Sequence, residues 1–181
     1  MSLSLAGNGT LTGVDADASG LLAEAGGIGS NVVQTVKTNT FTTSSTSYAD
    51  VTGLSVTITP TSATSKILVI AQYAMSGNNI RGTHSALTRG TTVIYQGDAD
   101  GSKVRASYGF FFPNLTDITA TVYPVSLSYL DSPSTTSATE YRVRVRAGDA
   151  GSVFIGRASI EPNDARSARM PASITAIEVA A

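Results

Sequence analysis

The nine residues Lys66–Ala74, KILVIAQYA, decide the fold. Read with a period of two, Ile67, Val69, Ala71 and Tyr73 fall on one side and Leu68, Ile70 and Gln72 on the other, so both sides are nearly apolar. The run is too short for an ordinary helix and rich in β-branched residues, which predicts a strand. A strand apolar on both sides is either the central one of its domain or one whose outer face is an interface. Its aliphatic heart, Ile67–Ala71, is far too short to span a membrane.

Further strands follow on either side, separated by turn residues. Val32–Thr43 reads as one strand, and Ser55–Thr59 as another with Val56 and Ile58 inward. Thr83–Arg89 and Thr91–Gln96 flank Gly90 as a hairpin, the glycine supplying the positive φ of the turn. Gly97–Gly101 is then a loop, and Ala106–Phe112 ends before Pro113. Thr121–Leu130 contains Pro124, which has no N–H to give a ladder, so this segment belongs at an edge or a bulge. Thr139–Ala147 alternates cleanly, and Ser152–Ile155 and Ser173–Val179 complete the set. Many short strands without a helix of ordinary length predict an all-β fold, an antiparallel β-sandwich of jelly-roll type over residues 32–181.

Residues 1–31 differ in kind. The first thirty carry seven glycines and no sustained period, so they build no core of their own. Leu3, Leu5, Leu11, Val14, Leu21 and Leu22 are nonetheless too apolar for a solvated linker, and we read the segment as an arm that binds a partner through them. One short helical turn, Leu21–Ala25, would be ended by Gly26 and Gly27. Met1–Thr10 has neither the positive start nor the apolar run of a secretory signal.

Charged residues make up only 14% of the chain and the net charge is −1, while Ser and Thr supply about a quarter of it. Such a hydroxyl-rich surface suits lasting contact with other protein, and it lacks the basic excess that a general nucleic-acid binder needs. Without cysteine there is no disulfide, thiolate nucleophile or thiolate metal site. His84 is the sole histidine, and nothing near its neighbours Ser76, Ser85 and Asp98 resembles a nucleophile elbow.

Four other constellations could carry chemistry. Asp15, Asp17, Ser19 and Gly20 open like a calcium loop, but the twelfth position is Gly26 where a bidentate Glu belongs, which leaves an Asx-rich turn. Asp98 and Asp100 read as a hairpin-type loop in the same way. Glu140 and Asp131 flank one loop as a glycosidase pair would, in a domain too short for a long polysaccharide groove. Arg142, Arg144 and Arg146 stand at every second position of one strand and so share a face. That face is a solvated surface paired with nearby carboxylates, a protein contact, or a glycan or nucleic-acid site. No catalytic, cofactor or metal residue is expected.

Two stretches, TNTFTTSSTSYADVTGLSVTITPTSATSKILVIAQYAMSG (38–77) and RASIEPNDARSARMPASITAIEVA (157–180), resemble a pattern in small virion and fibre-like proteins of tailed bacteriophages. The Gly-rich start LSLAGNGTLTGVDADASGL also looks like the particle-attachment end of phage fibres. The resemblance implies a non-enzymatic virion component without cofactor, assembled in the host cytoplasm and located in the particle. It would be a homotrimer bound to head or tail proteins as a head decoration (cement), tail-fibre or collar subunit, with no membrane or specific nucleic-acid partner. The alternative it implies is a receptor- or carbohydrate-binding module that meets a host surface glycan through exposed aromatics such as Tyr95, Tyr108 or Phe110–Phe112.

Overall fold

The KILVIAQYA run becomes the first part of strand β6 (Lys66–Asn78), and the other strands arrange themselves around it. The structure is a computed structural model, described here for residues 4–5, 11–12, 28–78, 81–111 and 121–180. Along one flank β6 pairs antiparallel with β10 (Tyr123–Asp131), from Asp131 opposite Ile67 to Tyr123 opposite Met75. The other flank is divided: β13 (Ala172–Val179) takes Lys66–Gln72 and β12 (Ser152–Ile155) takes Met75–Asn78. Met75 faces both Tyr123 and Ile155, and Gln72 both Ser126 and Ser173. A strand has only two flanks, so β12 and β13 lie end to end. Beyond them lie β4 (Phe41–Thr43) on β12 and β3 (Ile28–Lys37) on β13, which completes a six-stranded sheet.

A five-stranded sheet repeats the device around β7 (Gly82–Arg89). One flank of β7 takes β11 (Thr139–Ala147), which pairs in turn with β5 (Ala49–Ile58). The other flank is shared by β8 (Thr92–Tyr95) and β9 (Tyr108–Phe111). The β7–β8 turn is the expected hairpin, with Gly90 at φ 55° where a side chain would be strained. Ahead of both sheets β1 (Ser4–Leu5) and β2 (Leu11–Thr12) form a two-residue antiparallel pair with Leu5 opposite Leu11.

The two antiparallel sheets pack as a β-sandwich because alternation gives each strand one apolar side. Ile67, Val69, Ala71 and Tyr73 of β6 enter the core, with Val125 and Leu127 from β10 and Ile174 and Ala176 from β13. Tyr141, Val143 and Val145 of β11 and Leu87 of β7 meet them from the other sheet. Full burial of each large aliphatic side chain contributes about 1.5–3 kcal/mol. Two polar links cross this apolar layer. Tyr73 Oη donates to Ser85 Oγ at 2.5 Å, and Tyr141 Oη donates to Asp131 Oδ2 at 2.7 Å. Arg89 Nη1 lies 2.8 Å from the same Asp131 oxygen. Burial pushes the pKa of both tyrosines up, and the neighbouring Asp131 reinforces this at Tyr141, so both stay protonated donors.

Two expectations change. Val32–Thr43 is two strands, because the chain passes from its partner β13 to its partner β12 and bends at Asn39, where Lys37 Nζ donates to Asn39 Oδ1 at 2.7 Å. The first of them starts at Ile28, so an arm ending at residue 31 would cut into β3. Pro124 lies as expected: β10 pairs only with β6, at an edge. At the β12–β13 junction Gly156 has φ 80°, and a Cβ there would come within 2.8 Å of Met170 O.

Replacing Asp131 by Asn removes the buried charge that Tyr141 and Arg89 share. It is expected to lower unfolding free energy by about 1–3 kcal/mol in urea titrations, with the m-value unchanged.

Candidate functional site

The outward positions of the two sheets differ in chemistry, and the difference follows from register. On the five-stranded sheet Arg142, Arg144 and Arg146 do share one face, as their spacing requires. Asp50, brought across from β5, receives two of them: Arg142 Nη1 at 2.7 Å from Oδ2 and Arg144 Nε at 2.7 Å from Oδ1. Arg142 also pairs with Glu140, and Arg144 Nη2 donates to Tyr48 O at 2.7 Å. Glu140 first, then Asp50, holds the Arg142 pKa above its ordinary value. Arg146 has no carboxylate within ion-pair distance among the described residues; its Nε donates to Ala147 O at 3.2 Å. The stripe is thus a half-covered ion-pair ladder with one free end.

The central outward positions of the six-stranded sheet carry no such charges, and Lys66 stands only at the rim. Register lines up Val32, Ile177, Leu68 and Leu130 in a row across β3, β13, β6 and β10. The next row is Gln34, Thr175, Ile70 and Ser128, within which Gln34 Nε2 donates to Thr175 Oγ1 at 2.9 Å. A third row is Val36, Ser173, Gln72 and Ser126. None of these twelve side chains ionises. Val32 is 50% exposed, Val36 56% and Leu130 45%, so large apolar groups stand in solvent at both margins. The face runs on into a groove of about 720 Å³ between Val36, Ala74, Pro124 and Pro171.

Other candidates resolve into structure. His84 faces outward, and burial first, then Arg146, lowers its pKa, which keeps the imidazole neutral near pH 7. Ser85 points inward to Tyr73, and Ser76 Oγ donates to Arg157 O, so neither is a nucleophile beside it. Glu140 and Asp131 form no glycosidase pair: Asp131 is buried between the sheets and Glu140 binds Arg142 outside. Among the described residues no cluster of three His, Asp or Glu groups is placed to hold a metal ion. Asp15, Asp17, Ser19 and Gly20 lie outside the described residues, as do Leu3, Val14, Leu21 and Leu22; of the arm leucines only the Leu5 and Leu11 backbones are described.

Of the exposed-aromatic candidates, Tyr95 stacks on Tyr129 with ring centroids 5.3 Å apart, and Phe110 on Tyr123 at 4.4 Å. Tyr108 packs against the core and Phe112 lies outside the described residues. Phe111, 71% exposed, borders a recess of about 420 Å³ with His84, Asp98, Lys103 and Arg105. The sequence reading missed Asp50 and the Val32–Leu130 row. The outward apolar positions of VVQTVK (32–37) were the available signal for the row.

Glu178 is a second buried carboxylate, and among the described residues it has no cationic partner. Burial pushes its pKa up, but Thr61, Asn31 and Ser65 donate to it and together hold it at about 2. Compared with known proteins, the chain matches no protein-family model and no curated protein.

Two outcomes follow. A carboxyl with a folded pKa depressed from 4.5 to about 2 contributes stability above pH 4.5 that is lost as pH falls towards 2. Glu178→Gln should therefore flatten the fall in stability across that window, measured by denaturant titration at stepped pH. Asp50→Ala leaves Arg142 and Arg144 without their shared carboxylate and should cost about 1–2 kcal/mol at low salt, and less at high salt.

Proposed function

We propose that the chain is a non-enzymatic structural subunit of a bacteriophage virion. It is an oligomeric, homotrimeric surface component of the head decoration, cement, tail-fibre or collar type, held to head or tail proteins by its N-terminal arm. The observation that carries this reading is the uncharged outer face of the six-stranded sheet, a surface that gains from being covered by protein and offers no group for catalysis. The fold adds support. The two stretches that resemble phage virion proteins supply β6 and its neighbour β13, which build the middle of that face. On this reading the arginine ladder is a solvated surface, since Asp50 and Glu140 already pair with two of its three arginines.

A second reading, a receptor- or carbohydrate-binding module for a host surface glycan, draws on Phe111 and its recess. An exposed ring beside carboxylate and cationic groups suits stacking on a sugar with hydrogen bonds to its hydroxyls. Phe111→Ala should then abolish binding to host surface glycan while leaving particle incorporation intact.

Quantitative mass spectrometry of purified particles tests the first reading. A copy number in the hundreds places the chain on the head, a few dozen or fewer on the tail, and its absence refutes the reading. Deleting residues 1–27, all upstream of β3, should leave the β-sheet circular dichroism intact and abolish particle binding.

A further inference from the structure

We propose that the outer face of the six-stranded sheet is where copies of this chain meet, each face laid against its neighbours in the oligomer. The inference rests on the structural-subunit reading and names the partner its contact face takes. Chemistry, charge and size select a second copy.

The face is self-complementary. The row Val32, Ile177, Leu68 and Leu130 is apolar from margin to margin, and the two rows beside it mix aliphatic groups with Ser, Thr and Gln. Hydroxyls and carboxamides each donate and accept, so they find partners on an identical surface in any orientation. A face built of ionised groups repels its own copy unless the signs interleave.

Charge disfavours the other class of partner. None of the twelve outward positions ionises, and Lys66 stands at the rim beyond the apolar row. A partner recognised through charge has nothing to pair with here, whereas the opposite side of the sandwich offers Arg142, Arg144 and Asp50. With a net charge of −1, two copies also approach without appreciable long-range repulsion.

The face has the size of a small contact surface. Four strands at about 4.8 Å spacing, followed over the six steps from Leu68 to Ala74 at about 3.4 Å each, present roughly 400 Å². Covered by neighbouring copies, the face buries about 400 Å² of each chain, about 800 Å² for a pair, in the range of small specific contacts. Val32 and Leu130 lie at its two margins, on the outermost of the four strands.

The full chain, purified at micromolar concentration, should sediment as an oligomer. Val32→Glu with Leu130→Glu, both at solvent-exposed positions, should leave the melting temperature nearly unchanged and weaken association at least ~100-fold, giving monomer. Thr57→Glu, on the arginine side, should leave the oligomer intact. Because the chain lacks cysteine, Leu130→Cys adds a single thiol, whose maleimide labelling should slow about 10-fold or more between dilute and micromolar protein.

A monomeric wild type whose thiol labels equally fast at every concentration overturns the inference, and so does an oligomer that survives the double glutamate variant. In either case recovery of the chain from purified particles keeps the subunit reading. An oligomer broken by the double variant, in a chain absent from particles, upholds the inference and refutes the virion reading alone.

Discussion

Strand β6 is the constraint on which the rest of the structure depends. Both its flanks are taken, one by β10 and the other divided between β13 and β12, and its inward side chains form the middle of the core. With both flanks and one face committed, the alternation of KILVIAQYA leaves a single free surface, the outer face with Leu68, Ile70 and Gln72. A one-residue slip of β10 or β13 against β6 would turn Leu127 or Ile174 outward and expose the core, so register is tightly held. That same register assembles the apolar row on the outside. Core and contact face are two consequences of one alignment.

The polar links between sheets act on a different property. Hydrophobic packing alone tolerates small shifts of one sheet over the other, because apolar contacts are not directional. Tyr73–Ser85 and the Asp131–Tyr141–Arg89 group are directional and sit at separate places in the layer, so together they pin both the translation and the rotation of the sheets. Glu178 does the same at the end of β13, tying it to Asn31 of β3 and to Thr61 in the β5–β6 connection through neutral donors.

How much of this was legible depends on range along the chain. The β6 alternation, the Gly90 turn, the Pro124 edge and the shared face of the three arginines are local patterns, and each could be read from a few neighbouring residues. The split of Val32–Thr43 is not local: the sequence stays strand-like throughout, and the break exists only because β13 and β12 lie end to end on β6. Asp50 is hidden for the same reason, since it meets Arg142 from 92 residues away. Asp131 looked like a loop carboxylate beside Glu140, yet it is buried, because its position in β10 has the parity of Val125 and Leu127. The Val32–Leu130 row joins four strands, so no single segment announces it.

Composition takes on a different meaning once the charges are placed. A chain with 14% charged residues has few to spend, and they are distributed unevenly. Arg142, Arg144, Asp50 and Glu140 gather on one face, Asp131, Arg89 and Glu178 are drawn into buried links, and Glu161, Asp164, Arg166 and Arg169 pair within the loop before β13. The twelve central outward positions of the six-stranded sheet are left to hydroxyls, amides and aliphatics. Random dilution of charge would have left a few ions scattered over both faces, whereas here one face carries most of its ions in pairs and the other has none at its twelve central positions. Solvent alone gives no reason for that segregation, because water accommodates charge equally well on either side. A protein surface laid against the uncharged face does, since every ion buried there would have to be desolvated and matched.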